Sequence, residues 1–433
     1  MDKKARRIDR AQNLIIVLLT LSFVLLLLQT PLFGDTKDGS LSAAVRGWFS
    51  GTQSTVSPEE DALTALSVPV RIVHTNDFLR SGADALTTTD SAFEEAGSFL
   101  GEAIGSAHGI SGAAESIFLS ALEGAGIYFD FADELPLEVL AARLGVQSPT
   151  TRELNVRRCL VSIGESESVL LYIQDSAQGV FCFSTAVNAA EVRDYLESQN
   201  GGSVDFAFSL GEDYASLSPY TLLFAAPETR SELSAANALG DYSAEELLRR
   251  AEFNPHTQDW YTESSGTVVY IEGQRKLYLH PDGTLSYNGA AAESGSLFAV
   301  TAADPAHPTR TELCAAARSL IGTLTQGRLG DAALYLAGME TGEDGATVFF
   351  DYMALGTPIR FADGAHAAEA RIEDGSVTAF TLRVRRYTLT ERSSLLLPVS
   401  LAHAVAQRYP DCELTAAYID SYADTVSASW IAG

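Results

Sequence analysis

The chain has 433 residues, too many for one ordinary domain of about 150 residues. Its 46% hydrophobic and 9% aromatic content is enough for real cores and excludes a disordered chain. A net charge of −27 disfavours a phosphate-tracking nucleic-acid binder, and four cysteines exclude a small disulfide scaffold.

The first element in the chain is the clearest. Residues 13–33 (NLIIVLLTLSFVLLLLQTPLF) carry no charge. As a helix they extend about 31 Å, enough to cross a hydrocarbon layer of roughly 30 Å. The preceding residues carry Lys3, Lys4, Arg6, Arg7 and Arg10 against Asp2 and Asp9. The positive-inside rule then places residues 1–12 in the cytoplasm and the bulk of the chain outside a cell membrane. The competing reading is a cleaved signal peptide, but the run exceeds an ordinary h-region, the nearby A-x-A-like candidates are poor and no lipobox cysteine is present. An uncleaved single-pass anchor is therefore expected. Leu14, Leu18, Leu21, Leu25 and Leu28 follow a 4-3-4-3 spacing, a candidate seam for a partner helix in the membrane. In a helix this rich in leucine, such a pattern arises easily without a partner.

Residues 34–67 read as a membrane-proximal linker. A first α+β domain is expected over 68–229. It opens on a strand at 68–73, followed by a helix at 91–108 with Phe93, Ala96, Leu100, Ile104 and Ala107 on one face. Gly97, Gly101, Gly105 and Gly109 recur every four residues beside that face. Glycine costs about 1 kcal/mol at a helix position, so the stripe implies close packing, most simply of the helix against its own sheet. Strands are expected at 127–131, 156–163, 169–173, 179–183 and 205–210, with a helix at 190–198.

A second α+β domain is expected over 230–300, with a helix at 243–251 and hairpin strands at 267–272, 276–279 and 284–287. The third, over 301–433, combines a helix at 309–324 with strands at 333–339, 346–353, 358–361, 367–372 and 377–387. A helix at 399–409 and strands at 414–419 and 426–431 complete it. Asp-Gly pairs between alternating runs mark the hairpins. The fold class is thus α+β: one N-terminal transmembrane helix, then about three small mixed domains of antiparallel meanders packed by helices.

No catalytic set emerges. The seven histidines are scattered, and there is no H-E-x-x-H, G-x-S-x-G, S-x-x-K or C-x-x-C. No cofactor or metal is implied, and an enzyme is not expected. Cys159 with Cys182, and Cys314 with Cys412, are candidate disulfides outside the cytoplasm, buried thiols being the alternative. Arg383, Arg385 and Arg386 read as the solvated face of a half-buried strand, or else as a ligand site. Phe253, Trp260 and Tyr261 form either a docking strip or a structural wedge between domains.

A basic tail and one membrane helix precede the mixed domain. Then come F-N-P-H-T-Q-D-W-Y…T-V-V-Y-I-E…L-Y-L-H-P-D-G-T-L-S-Y (253–287) and F-D-Y-M-A-L-G-T-P-I-R-F…G-S-V-T-A-F-T-L-R-V-R-R-Y (350–387). Together they resemble the YycH family, with its shorter relative YycI: accessory membrane proteins of the WalK/WalR two-component system of Gram-positive bacteria. The resemblance implies a non-enzymatic regulator of signal transduction. Such a protein associates with a sensor histidine kinase, and with a YycI-like partner, in part through transmembrane helices. It offers no catalytic residue to carry over. The alternative is a cell-envelope structural or ligand-binding module without a kinase partner.

Overall fold

Apolar runs in the first third of the chain alternate in a way that buries both sides of a sheet. In β4 (Gly126–Pro136), Ile127, Phe129 and Phe131 enter one core while Tyr128 enters another on the opposite face. Strands β1 (Arg71–Asn76), β2 (Leu79–Asp84), β3 (His108–Ala113), β4, β5 (Asn155–Ile163), β6 (Val169–Asp175), β7 (Gly179–Ser184), β8 (Gly202–Phe206) and β9 (Leu222–Phe224) make one sheet. Its order is β3-β7-β6-β5-β4-β1-β2-β8-β9, and every pairing is antiparallel. The computed structural model describes residues 69–76, 79–84, 90–199, 202–224, 228–293, 295–342, 345–396 and 412–432. The expected span at 13–33 with its five leucines, the linker at 34–67 and the helix at 399–409 lie outside the described residues. Among these, no helix is long and apolar enough to cross a membrane.

Helix α1 (Asp90–Ser106) buries Phe93, Ala96, Leu100 and Ile104 of the expected face, together with Ala103, while Ala107 stands just past its end and is partly buried. The remaining helices on this part of the chain are α2 (Glu115–Ala121), α3 (Leu137–Arg143) and α4 (Ala189–Ser198). The glycine stripe does not serve the sheet. A Cβ at Gly101 would lie 3.4 Å from Leu144, and one at Gly105 would lie 3.0 Å from Val146. The stripe admits the turn that follows α3, and Gly109 already stands beyond the helix. The strand expected at 205–210 is instead the end of β8 and a 3-10 turn, Ala207–Leu210.

Beyond β9 come β10 (Thr229–Asn237) and α5 (Ala244–Arg250), whose first turn is capped by the Ser243 side chain. A meander follows: β11 (Trp260–Thr262), β12 (Val268–Glu272), β13 (Arg275–Leu279) and β14 (Thr284–Asn288). Helix α6 (Arg310–Thr325) starts at a capping box between Thr309 and Glu312. Then come β15 (Ala333–Gly342), β16 (Gly345–Ala354), β17 (Thr357–Phe361), β18 (Ala368–Glu373), β19 (Ser376–Arg383), β20 (Arg385–Leu395), β21 (Leu414–Asp420), β22 (Thr425–Val426) and β23 (Ala428–Ala432). The strand expected at 377–387 breaks at Val384. Its first half stays in the large sheet, and its second, β20, pairs with β10.

The large sheet has eleven strands in the order β11-β12-β13-β14-β19-β18-β16-β17-β21-β23, with β15 also on β16. Among the described strands of this sheet, only β17 and β21 run parallel. A small sheet, β20-β10-β22, lies apart from it. The large sheet joins segments expected to be a second and a third domain: β14 pairs directly with β19, so residue 300 falls inside the chain of one sheet. All described residues belong to one compact unit, Val56–Gly433. A single main core runs from α1 and β4 through to α6 and β16.

Candidate functional site

The chemically richest place lies where the nine-stranded sheet meets β17, β21 and β23. Several of its charged residues interrupt apolar strands. Asp130 stands in GIYFDFADELP, Arg157 and Arg158 in NVRRCLVSI, and Asp351 in GATVFFDYMA. A charge in such a strand must find a partner, because desolvation costs several kcal/mol per ion. A register shift in β4 after Asp130 releases Asp133 from the ladder.

Three ion-pair clusters result. Arg157 donates to Asp130 at 2.5 Å and to Glu413 at 3.3 Å, and Arg158 also donates to Glu413. Arg360 donates to Asp133 at 2.7 Å and pairs with Asp351, while the Tyr335 hydroxyl donates to Asp133 at 2.7 Å. Arg71 and Arg230 both reach Glu228, at 2.9 and 2.7 Å, and Arg230 donates to the Thr357 hydroxyl at 3.0 Å. Each cluster ties residues before 225 to residues after 227. Among them is a cavity of about 60 Å³ bordered by Arg71, Asp130, Arg157, Arg360, Glu413 and Trp430. A water needs roughly 10–15 Å³ of such space, so this cavity has room for a few waters.

Burial raises the Asp130 carboxyl and the Arg157 and Arg158 guanidiniums oppose it. At Glu413 burial also works upward, but the same two guanidiniums outweigh it and hold the group below its ordinary range. Burial raises the Cys159 thiol, and it pushes Cys314 up to about 12. Neither thiol is a thiolate nucleophile at neutral pH. Arginines and carboxylates at the seam pair with one another, leaving Arg158 Nε and Glu228 Oε1 without a hydrogen bond among the described residues, so its chemistry is that of a clamp.

A second buried charge lies under β20. Arg385, 6% exposed, donates to both oxygens of Asp420, at 2.9 and 3.0 Å. Tyr387 donates to the same carboxylate at 2.7 Å. The solvated-face reading therefore fails for Arg385. After the break at Val384, the alternation of β20 turns Arg385 and Tyr387 inward. Arg386 stays half-exposed and reaches Asp241 at 2.6 Å, and Arg383 donates to the Tyr422 hydroxyl at 3.1 Å.

The expected disulfide partners do not meet. Cys159 stands on β5 and enters the main core. Cys182, on β7, packs against the core on the opposite face, with β6 between them. A bridge would have to pass through the sheet. The Cys314 sulfur lies 3.7 Å from Met339 Sδ in the main core, and Cys412 lies in a separate cluster with Leu217 and Leu414. Of the aromatic strip, only Phe253 acts as a wedge, buried edge-on to Tyr287 and 4.4 Å from the Arg275 guanidinium. Trp260 and Tyr261 are 53% and 45% exposed. Among the described residues, no three His, Cys, Asp or Glu side chains gather as a metal site.

No protein-family model matches the sequence. No curated protein matches it either. Among solved structures, YycH from Bacillus subtilis is similar, with a TM-score of 0.58 at 12% identity, covering 86% of this chain and 94% of that one. The resemblance carried by residues 253–287 and 350–387 thus extends to the arrangement of nearly the whole chain. The chain has the YycH fold.

Proposed function

We propose that this protein is a membrane-anchored, extracytoplasmic regulator that modulates a cell-wall-related, WalK-like sensor histidine kinase by protein–protein contact. The observation that carries this reading is the match to the YycH fold over 86% of the chain. The uncharged run at 13–33, with its basic flank, supports it by supplying a helix fit to pair with a kinase helix. A YycI-like protein is the second expected partner. Seam and core chemistry also favour a non-catalytic role, since their charged groups answer structural needs.

Regulation by contact requires that the two signalling states of the kinase touch this chain differently, because only differential contact shifts a population. The test exchanges residues 13–33 for an unrelated Leu/Ala helix and follows phosphorylation of the kinase's response regulator. A changed output is expected. An unchanged output removes the helix-pairing part of the reading. Thermal stabilisation of the full chain by a wall fragment would instead favour an envelope-binding module.

A further inference from the structure

The five end strands of the two main sheets, β3, β9, β11, β15 and β23, are not alike, and β15 is tied to β4 by the Tyr335–Asp133 hydrogen bond. Strand β3 is an exposed edge, but a register shift between His108 and Ser111, with Gly109 at φ +68°, disrupts its row of hydrogen-bonding groups. Strand β9 has two of its three residues buried. Strand β23 contributes Trp430 and Ile431 to the wall of the seam cavity. Among the described residues, strand β11 has no such cover. All three of its residues are exposed, and its register with β12 is unbroken.

The ladder shows which groups of β11 face outward. Ile271 N–H donates to the Asp259 carbonyl and Glu263 N–H donates to the Thr267 carbonyl, both at 2.9 Å. Asp259, Tyr261 and Glu263 are therefore the residues bonded to β12. The alternation of an antiparallel pair turns the backbone of Trp260 and Thr262 to the open side. Trp260 N–H turns back to the Gln258 carbonyl at 3.1 Å, which leaves its carbonyl and both Thr262 groups directed outward. Trp260 stands over Tyr270, centroids 6.4 Å apart, and Tyr261 lies on the other face. An added strand would thus meet an aromatic ring on each side.

Charge selects the occupant. Asp259 and Glu263 bracket the strand, and both are exposed. A second copy pairing antiparallel about Tyr261 would set Asp259 against Glu263, and like charges directly opposite are destabilising. A cationic strand gains at both positions, and its basic side chains lie within reach of the aromatic faces. We propose that the open edge of β11 is a docking strand for a basic, extended polypeptide segment, which adds to the eleven-stranded sheet. The proposal does not depend on which protein residues 13–33 meet.

The test uses the full-length chain in detergent micelles and two probes, the peptides Lys-Val-Lys-Val-Lys-Val and Glu-Val-Glu-Val-Glu-Val. Only the lysine peptide should bind saturably and slow hydrogen exchange at the Thr262 amide. Trp260→Ala, and separately Asp259→Asn with Glu263→Gln, should each weaken it roughly tenfold, the loss expected for a central anchor. Thr262→Pro, which removes an outward N–H and no bond to β12, should abolish binding of the lysine peptide. Equal binding of both peptides overturns the proposal. So does full affinity in the Trp260→Ala and Thr262→Pro variants, or no binding at all.

Discussion

Strands at the middle of the nine-stranded sheet are buried in long runs, whereas β14 and β18 of the eleven-stranded sheet alternate. Six successive residues of β5 are buried, Arg158 to Ile163, while β18 reads buried and exposed by turns. The first sheet has a core on each face, and the second packs α6 against one. The difference teaches where contact with other molecules can occur. A sheet sealed on both sides is a frame, whereas a sheet with one dry face keeps a second face and an edge for partners.

The largest expected effect concerns the buried charge of the second region. Asp420→Ala strands Arg385 and should cost about 3–5 kcal/mol in denaturant unfolding. Replacing both, as Arg385→Met with Asp420→Leu, should cost clearly less, because no buried charge is left alone. Equal losses would mean that the pair itself, not its desolvation, supplies the stability. Leu160→Ala probes the sealed sheet. Leu160 is fully buried in the second core of that sheet, so a loss of about 2–5 kcal/mol is expected. Thr381→Ala, on the half-exposed row of β19, should change stability by less than about 0.5 kcal/mol. Similar losses at the two positions would erase the contrast between the sheets.

Two histidines sharpen it by pH. Burial lowers His74, on β1, to about 4, and its ring meets the Tyr195 hydroxyl at 3.0 Å. Between its ordinary value of 6.5 and about 4, the unfolded chain binds a proton that the folded chain refuses. Stability therefore falls with pH across that window, by on the order of 3 kcal/mol at most. His366, half-exposed beside the large sheet, is raised by its hydrogen bond to Asp351. Its contribution is complete below 6.5 and disappears as pH rises through the folded value. His74→Gln should flatten the acid side of the stability profile, and His366→Gln the neutral side. The smallest effect is at the surface: Arg249→Ala breaks an exposed pair with Glu245 and should cost only about 0.3–0.5 kcal/mol.

Local signals in the sequence mark much of this fold. The Asp-Gly turns set the β13–β14 and β18–β19 hairpins, where Gly283 and Gly375 have φ of +94° and +68°. Helix α6 follows from its capping box. Strands β2 and β3 escape notice because LRSGAD and HGISGA lack β-branched periodicity. They are held by pairing with neighbours, which is a tertiary effect. The merging of β14 with β19 is equally invisible, since a hairpin turn says nothing of the next strand outward. At the seam, adjacent arginines in an apolar strand signal a buried pair, yet the partner Glu413 lies 255 residues from Arg158. No spacing rule reaches that far.

The proposed contact with a sensor kinase is tested most directly by cross-linking. The tagged full-length chain would be captured from native membranes after mild cross-linking and its neighbours identified. The account expects a sensor histidine kinase among them, lost when residues 13–33 are exchanged for an unrelated helix. Recovery of wall-synthesis enzymes alone, or of a kinase that persists after the exchange, would contradict it.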